Sequence, residues 1–294
     1  MAVRELRGSP SMLPMFARAG VAMIPGASRL PLIGPGRSHD IPDLTLVLDD
    51  VGVDRDRLAS YDKVCAHTLR DALPATYPHV LAFPLHLALM TDPSFPFPAV
   101  GLVHIENRIV QRRPVSVSER FSFRVWATPA QPHPRGLRFS IRTEARVGDE
   151  LVWEEASTNL RRGPGGADAA APTSVASTED LPAAAAWKLP ADLGRRYGSV
   201  SGDLNPIHMH ALTARLFGFP AAIAHGMWTK ARTLAALGAR LPDAFAVEVA
   251  FRRPILLPAT VVFALGDDLR FGVRDAARAT QHLDGAVTLS NWGL

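Results

Sequence analysis

The stretch YGSVSGDLNPIH at residues 197–208 opens in the same way as YDKVCAHTLRDA at residues 61–72. In both, a tyrosine is followed three residues later by a valine, and the two tyrosines lie 136 positions apart. The later stretch goes on to Asp203, Asn205 and His208, whereas the earlier one does not carry this set in the corresponding places. Such a match indicates a duplicated structural unit, of which only one copy retains the polar residues.

Two further matches follow in the same order along the chain. Arg-Arg-Pro at residues 112–114 returns at 252–254, an offset of 140, and LRFSIR at 137–142 returns as LRFGVR at 269–274, an offset of 132. Three ordered matches at nearly one spacing predict a duplicated unit.

The periodicity changes in the same way in each copy. In the second copy, residues 226–240 carry apolar side chains at helical spacing and predict a buried helix. Alternation then predicts strands at 247–251 and 269–273, and a run of β-favouring residues predicts one at 259–265. A last strand is predicted after a hairpin turn at Asp284-Gly285.

The first copy repeats this pattern, with alternation over residues 137–147, a turn at 148–149 and a further strand from 151. One helix followed by strands predicts an α+β unit, in which a curved antiparallel sheet wraps a long helix. Two such units can pair like the subunits of a dimer. Residues 77–90 align with the central helix, and Pro84 is expected to kink or break it.

These patterns divide the chain into four parts. They are an N-terminal extension (1–40), a degenerate first repeat (41–162), a linker (163–182) and a second repeat with the polar groups (183–294). The linker is expected to be flexible, since it is small, polar and rich in Pro, Gly, Ala and Ser. In the extension, residues 12–26 predict a short helix packed on the main body, with attachment to a membrane surface as the alternative. They are too short for a membrane span and lack the features of a secretory signal.

Charge and cysteine content disfavour nucleic-acid binding and exclude an intramolecular disulfide. The 294 residues carry a formal net charge of +4. The arginines are scattered, which disfavours nucleic-acid binding. Cys65 is the single cysteine, so no intramolecular disulfide forms, and a reducing cytoplasm is expected.

The polar stretch of the second copy predicts a rigid loop, because Asn205-Pro206 favours a turn. Such a loop can make Asp203 and His208 converge, as acid–base chemistry on a bound water requires. An alternative is that the loop's polar groups only satisfy its own backbone. A metal site at His208 and His210 is disfavoured, because no Cys or carboxylate cluster with ligand spacing surrounds them.

Residues 197–227, from Tyr197 through Asn205-Pro206 to the run Ala-His-Gly-Met, strongly resemble the hydratase 2 motif of MaoC-like dehydratases. That family includes (R)-specific 2-enoyl-CoA hydratases and related 3-hydroxyacyl-thioester dehydratases. Duplicated members have two hot-dog folds in one chain, one catalytic and one degenerate. The resemblance therefore implies a double hot-dog fold, with Ala66-His67 standing where the working copy has Gly202-Asp203.

The resemblance also implies an activity, the reversible hydration of trans-2-enoyl thioesters in fatty-acid metabolism, without a cofactor or a metal. Asp203 and His208 would activate water, the backbone N–H of Gly226 would donate to the thioester oxygen, and Asn205 would orient the loop. Further substrate contacts are implied for Tyr197, Ser201, His225 and Met227.

The expected partner is an acyl-CoA or an acyl carrier protein thioester, and the chain is expected to be a monomer or a homodimer. Arg252 or Arg253 would either reach a carrier phosphate or belong to a solvated face. In the first repeat, six apolar side chains would either line an acyl tunnel or fill the core: Leu81, Phe83, Leu85, Leu87, Leu89 and Met90.

Two other functions remain open. One is a hot-dog thioesterase, although enzymes of that kind generally carry their acid on the long helix, where this chain has Thr229 and Lys230. The other is a non-catalytic acyl-thioester-binding subunit, against which the complete second motif argues.

Overall fold

The computed structural model describes residues 2–12, 14–16, 40–99, 101–165 and 175–289. The chain divides into two compact units, each built from several segments. The first comprises Met1–Gly52, Pro78–His104 and Ser118–Pro172, and the second comprises Val53–Tyr77, Ile105–Val117 and Thr173–Leu294.

Both halves of the sequence have the same order of elements, one or two strands followed by helices and then by a series of strands, as the repeats predict. The strands are β1 (Ala2–Leu6), β2 (Leu44–Val51), β3 (Leu102–Gln111), β4 (Phe121–Ala127), β5 (Gln131–His133), β6 (Gly136–Val147), β7 (Glu150–Arg162), β8 (Ala183–Leu189), β9 (Phe245–Phe251), β10 (Ala259–Leu265), β11 (Arg270–Asp275) and β12 (Gln281–Thr288). The helices are α1 (Arg55–Cys65), α2 (Tyr77–Met90), α3 (Leu193–Ser201), α4 (Pro206–Met209), α5 (Ala211–Arg215) and α6 (Gly226–Leu237), and a 3₁₀ turn, Gly238–Arg240, follows α6.

In the first unit the sheet has the order β1-β2-β4-β6-β7, and β5 pairs with β6. All of these pairs are antiparallel except β1 with β2, which is parallel. The N-terminal extension therefore contributes an edge strand. Strand β6 confirms the alternation over 137–147, and the turn that follows it contains Gly148, at φ +57°.

Helix α2 runs without interruption from Tyr77 to Met90, with Pro84 inside it, so the predicted break does not occur. The helix is buried along most of its length, and tertiary packing of this kind supplies most of a helix's stability in proteins, even where proline removes a hydrogen bond. Four of the six apolar residues assigned to a tunnel or a core are buried, namely Leu81, Leu85, Leu87 and Leu89. Phe83 and Met90 are half-buried. The tunnel stays a prediction.

In the second unit, residues 105–111 of β3 open an antiparallel sheet of order β3-β9-β12-β11-β10-β8. Register shifts at Phe263/Ala264 and Val273/Arg274 interrupt the pairing, and such bulges bend a sheet. Helix α6 packs on this sheet. The fully buried Lys230 donates from Nζ to the Val247 carbonyl at 3.2 Å and to the Asn107 side chain at 2.5 Å.

The predicted turn at Asp284-Gly285 is wrong, because both residues lie inside β12. Asp284 is buried, and its carboxylate accepts hydrogen bonds from the Thr178 hydroxyl at 2.6 Å and from Arg252 Nε at 2.6 Å. Gly285 lies under the Phe271 ring, where a Cβ would come within 2.3 Å of the ring. Contacts with residues distant in the sequence thus keep this dipeptide in a strand, although locally it favours a turn. The observed turn between β11 and β12 spans residues 276–280.

The linker also differs from expectation where the structure describes it. Val175 and Thr178 are buried, and Thr178 is anchored to Asp284 through both its hydroxyl and its backbone N–H. Residues 166–174 lie outside the described ranges, as does most of the helix predicted at 12–26. Among the helices that the structure describes, none is both long and apolar enough to cross a bilayer.

Candidate active site

The candidate site begins where α3 ends. Gly202 follows the last residue of the helix at φ +85°, and its N–H donates to the Gly198 carbonyl. The chain then folds back so closely that a Cβ on Gly194 would lie 2.0 Å from the His208 carbonyl oxygen. Glycine at this position therefore lets α4 approach α3.

Within the loop, the polar side chains accept hydrogen bonds from the backbone N–H groups of residues two positions further on. Ser201 Oγ accepts from the Asp203 N–H at 3.2 Å, and one Asp203 carboxylate oxygen accepts from the Asn205 N–H at 3.1 Å. Asn205 caps α4 by accepting from the Ile207 N–H at 3.4 Å. Ser201 and Asn205 thus support the loop, as the alternative explanation of this motif expects. The Asp203 side chain remains 28% exposed.

His208 and His225 lie side by side, with ring centroids 3.6 Å apart in a stacked arrangement. His208 Nδ1 donates to the Ile223 carbonyl at 2.8 Å, which leaves Nε2 as the lone-pair nitrogen of the neutral ring. His225 Nε2 donates to the Asp203 carbonyl at 3.0 Å and lies 3.8 Å from the Asp203 carboxylate. Asp203, His208 and His225 each place one ligand-type atom within 4.8 Å of the others.

Burial keeps both imidazoles neutral. It lowers the pKa of His225 to about 3, with a further contribution from His208, and the Asp203 carboxylate opposes this shift. The pKa of His208 is also lowered by burial, again against the effect of Asp203. A neutral His208 beside a half-buried carboxylate is an arrangement that can take up and return a proton.

This arrangement corrects one expectation from the sequence. A carboxylate does lie within ligand distance of His208, because the loop brings Asp203 there. His210 is not part of the group. It is exposed, and its Nδ1 caps α5 by accepting from the Leu212 N–H at 3.2 Å.

The other predicted site residues lie near this group or belong to it. Tyr197 is buried, and its ring centroid is 4.9 Å from that of His225. Gly226 is the first residue of α6, and Met227 is buried beside it. The N-cap of α6, His225, makes no side-chain capping bond. The first N–H groups of a helix lack intrahelical partners, so α6 can present them to a ligand.

The Arg252 guanidinium is bonded within the protein, which disfavours it as the phosphate contact considered from the sequence. Its guanidinium donates to Asp284 at 2.6 Å and to the Val175 carbonyl at 3.2 Å, so it ties the anchored end of the linker to the sheet. Arg253 is exposed.

Sequence reasoning missed two residues of the first copy that support this site. Tyr61 packs on Tyr197 with ring centroids 6.0 Å apart, and Arg57 Nε donates to the Val200 carbonyl at 2.7 Å, near the end of α3. The two Tyr-motif helices, α1 and α3, thus pack on each other. The repeat contained the signal, since two copies that pair like a dimer bring equivalent helices together.

The comparisons identify the family. Residues 173–277 match a family model described as a MaoC-like domain. A 3-hydroxyacyl-thioester dehydratase X of Mycobacterium tuberculosis is 37% identical over 285 residues, which cover 95% of this chain and 98% of that protein. This chain belongs to the MaoC-like dehydratase family. As the sequence alone indicated, it is a MaoC-like protein of the duplicated type.

Solved structures agree with this assignment. The crystal structure of HtdX from M. tuberculosis is 35% identical, with a TM-score of 0.74 over 83% of this chain and 98% of that chain. A second M. tuberculosis protein, described as having a double hot-dog fold, is 16% identical, with a TM-score of 0.52 over 81% of this chain and 93% of that chain. The α+β double hot-dog fold of this MaoC-like chain is thereby confirmed.

Proposed function

We propose that the protein catalyses the reversible hydration of trans-2-enoyl thioesters to (R)-3-hydroxyacyl thioesters. The observation that carries this proposal is the convergence of the Asp203 carboxylate and the neutral His208 imidazole beside the start of α6. The printed name of the M. tuberculosis relative, a 3-hydroxyacyl-thioester dehydratase, supports the same reaction class, that of a hydro-lyase.

Asp203 and His208 hold the reacting water in this proposal. In the hydration direction, the pair removes a proton from water while the water oxygen bonds C3. The electron pair of the C2=C3 bond moves toward the thioester oxygen, and C2 then receives a proton from the pair. The His208 ring is suited to this exchange, since its Nδ1 is fixed on the Ile223 carbonyl and Nε2 can accept. Asn205 orients Asp203 through its backbone N–H.

The negative charge that develops on the thioester oxygen is stabilised by the N–H of Gly226. This group opens α6, where unpaired N–H groups and the positive end of the helix dipole both favour an anion. The nearby Tyr197, Ser201, His225 and Met227 are the proposed contacts of the acyl thioester.

The thioester carrier is coenzyme A or an acyl carrier protein, and both bear phosphate. Both arginines of the Arg-Arg pair are exposed, and Arg253 is the proposed phosphate contact because the Arg252 guanidinium is bonded to Asp284. We further propose that the protein acts in the cytoplasm, as its single cysteine indicates, and as a monomer or a homodimer.

The test follows the absorbance of the conjugated enoyl thioester with purified protein and short- and long-chain trans-2-enoyl-CoA, beside a free-thiol assay. We expect the absorbance to fall without thiol release. Asp203→Asn should lower the rate by about 10²- to 10⁴-fold. Asp267→Asn, which changes an exposed carboxylate of the same repeat, should leave the rate unchanged.

The outcomes separate the competing functions. Thiol release in step with the absorbance change would indicate a thioesterase. This outcome is not expected, because the α6 positions in question hold Thr229 and Lys230, and Thr229 donates to the His225 carbonyl. If enoyl-CoA is untouched, the assay is repeated with acyl carrier protein thioesters. Inactivity with both carriers would contradict the proposal and favour a binding subunit.

A further inference from the structure

The first unit contains a buried polar group that the proposed reaction does not use. Helix α2 is apolar along most of its length, yet it carries His79 and His86, which are 8% and 2% exposed. Glu155, on β7, faces them and is 0% exposed. His79 and His86 are seven residues apart, close to two helical turns, so they lie on the same face of α2.

The potential ligand atoms of these three side chains converge. His79 Nδ1 lies 2.8 Å from one Glu155 carboxylate oxygen and 2.9 Å from the other. His86 Nε2 lies 3.9 Å from the second of these oxygens. One ligand-type atom from each residue lies within 4.8 Å of the other two. The His79 and His86 rings meet edge to face, with centroids 5.2 Å apart.

Further polar groups surround the three residues. The Thr143 hydroxyl on β6 lies 2.7 Å from His86 Nε2. On β7, two residues beyond Glu155, the Ser157 hydroxyl bonds His104 Nε2 at 2.9 Å. Glu155 and Ser157 share a face of the strand because their spacing is two. Burial lowers the pKa of His86 to about 3, with Glu155 opposing and with His79 and His104 adding to the shift, so this ring is neutral at physiological pH.

Two imidazole nitrogens and one carboxylate are a ligand set that proteins use for Zn²⁺ and for divalent iron. Ligand bonds of about 2.0–2.2 Å to such a cation separate neighbouring ligand atoms by roughly 3–3.5 Å. Glu155 Oε2 lies 2.9 Å from His79 Nδ1 and 3.9 Å from His86 Nε2, and the three ligand atoms all lie within 4.8 Å of one another, so the side chains would have to rotate to close around the ion. We propose that His79, His86 and Glu155 form a binding site for a divalent transition metal ion, Zn²⁺ being the first candidate.

The site would be structural. His79 and His86 belong to the central helix of the first unit and Glu155 to its sheet, so the ion would tie α2 to β7, and Thr143 on β6 offers a further oxygen. The competing explanation is a hydrogen-bonded network in which His79 and Glu155 share a proton. The two explanations differ in whether the purified chain retains a metal ion.

The experiment uses the full-length chain without a histidine tag, stripped with a chelator and then titrated with Zn²⁺ or Co²⁺. After gel filtration, we expect about one equivalent of metal per chain. Co²⁺ should give visible absorption bands of a low-coordinate nitrogen and oxygen site. Zn²⁺ should raise the thermal midpoint of the chain, because binding to the folded state stabilises it.

His79→Gln and Glu155→Gln should each weaken metal binding by at least 10- to 100-fold. That range is the usual effect of losing a residue that only supports a ligand, and here a ligand itself is lost. His133→Gln removes another buried histidine of the same unit and should retain the metal. Asp203→Asn should retain it as well, since it disrupts only the other convergent group.

Failure of the wild-type chain to retain Zn²⁺ or Co²⁺ would overturn the site, as would retention by His79→Gln together with loss in Asp203→Asn. Circular dichroism checks the fold of each variant. Should His79→Gln not fold, His79→Cys replaces the nitrogen with a thiolate. The site then predicts a new thiolate-to-cobalt charge-transfer band, and a folded His79→Cys chain without that band in Co²⁺ counts against it. None of these measurements uses hydratase turnover, so the site and the proposed function fail independently.

Discussion

Ala66 and Gly202 occupy the same left-handed backbone position, one residue after the end of α1 and of α3. Their φ angles are +58° and +85°, and their N–H groups donate to the carbonyls of Asp62 and Gly198, each four residues earlier. Glycine adopts this conformation freely, whereas an L-residue pays about 1–2 kcal/mol for it. The first repeat has therefore kept the helix end of the working copy without the residue that suits it best.

Ala66→Gly should stabilise the protein by about 0.5–1 kcal/mol. The relief of left-handed strain is partly offset, because glycine makes the unfolded chain more flexible by about 0.4–1 kcal/mol. Urea unfolding at equilibrium measures the difference. The reverse change at the equivalent position, Gly202→Ala, should lower stability, and a destabilised Ala66→Gly variant would contradict the argument.

His208→Gln should lower the hydration rate by about 10²- to 10⁴-fold, because the ring nitrogen that exchanges the proton is lost. The matched control is His210→Gln, two residues away. His210 is exposed and only caps α5, so this change should leave the rate within about threefold and cost stability of about 1 kcal/mol at most. Equal losses of rate in both variants would show that the loop, rather than the His208 ring, is what matters.

The elements that sequence predicts well are those whose signal is local. A run of β-favouring residues placed β10 at residues 259–265 with its observed bounds, and helical spacing placed α6 together with the 3₁₀ turn that follows it. Asp284-Gly285 was misassigned because the dipeptide is a local hairpin signal, while the groups that hold it in a strand, Thr178 and Arg252, are 106 and 32 residues away.

In the candidate site, too, local signals predict some features, and others depend on contacts between residues distant in the sequence. The loop that carries Asp203 and His208 was predicted because Asn-Pro and the capping residues act over a few positions. The approach of His225 to Asp203 depends on where α6 begins relative to that loop. The group of His79, His86 and Glu155 could not be predicted from spacing, because Glu155 is 76 residues from His79.

Gly226→Ala should lower kcat/KM by about 10- to 100-fold, since displacing a donor by a fraction of an ångström is costly in a positioned site. A Cβ at this residue would lie 2.9 Å from Phe251 Cε1 and 3.1 Å from two other ring atoms, so either the ring or the start of α6 must move.

The double variant Gly226→Ala with Phe251→Leu tests this cause. The smaller side chain removes the ring atoms that clash, and most of the lost rate should return. The single Phe251→Leu variant is the control. If the double variant is no faster than Gly226→Ala alone, the loss does not arise from this contact.

Asp62→Asn should stabilise the protein above pH 6 and have little effect near pH 4. Asp62, on α1, is 2% exposed, and its Oδ1 has no hydrogen-bond partner among the described residues. Burial raises the pKa of this carboxyl to about 6, against about 3.9 in the unfolded chain.

The sign follows from proton linkage. Between pH 4 and 6 the folded state holds a proton that the unfolded state has lost, so wild-type stability from this group falls as the pH rises through that window. Asparagine cannot ionise, and the gain relative to wild type therefore grows from pH 4 to 6 and then levels off at about 1–3 kcal/mol. Urea unfolding at pH 4.5 and 7.5 measures it. Asp56→Asn, which removes an exposed charge from the same helix, is the control, and the burial argument fails if the two variants respond to pH alike.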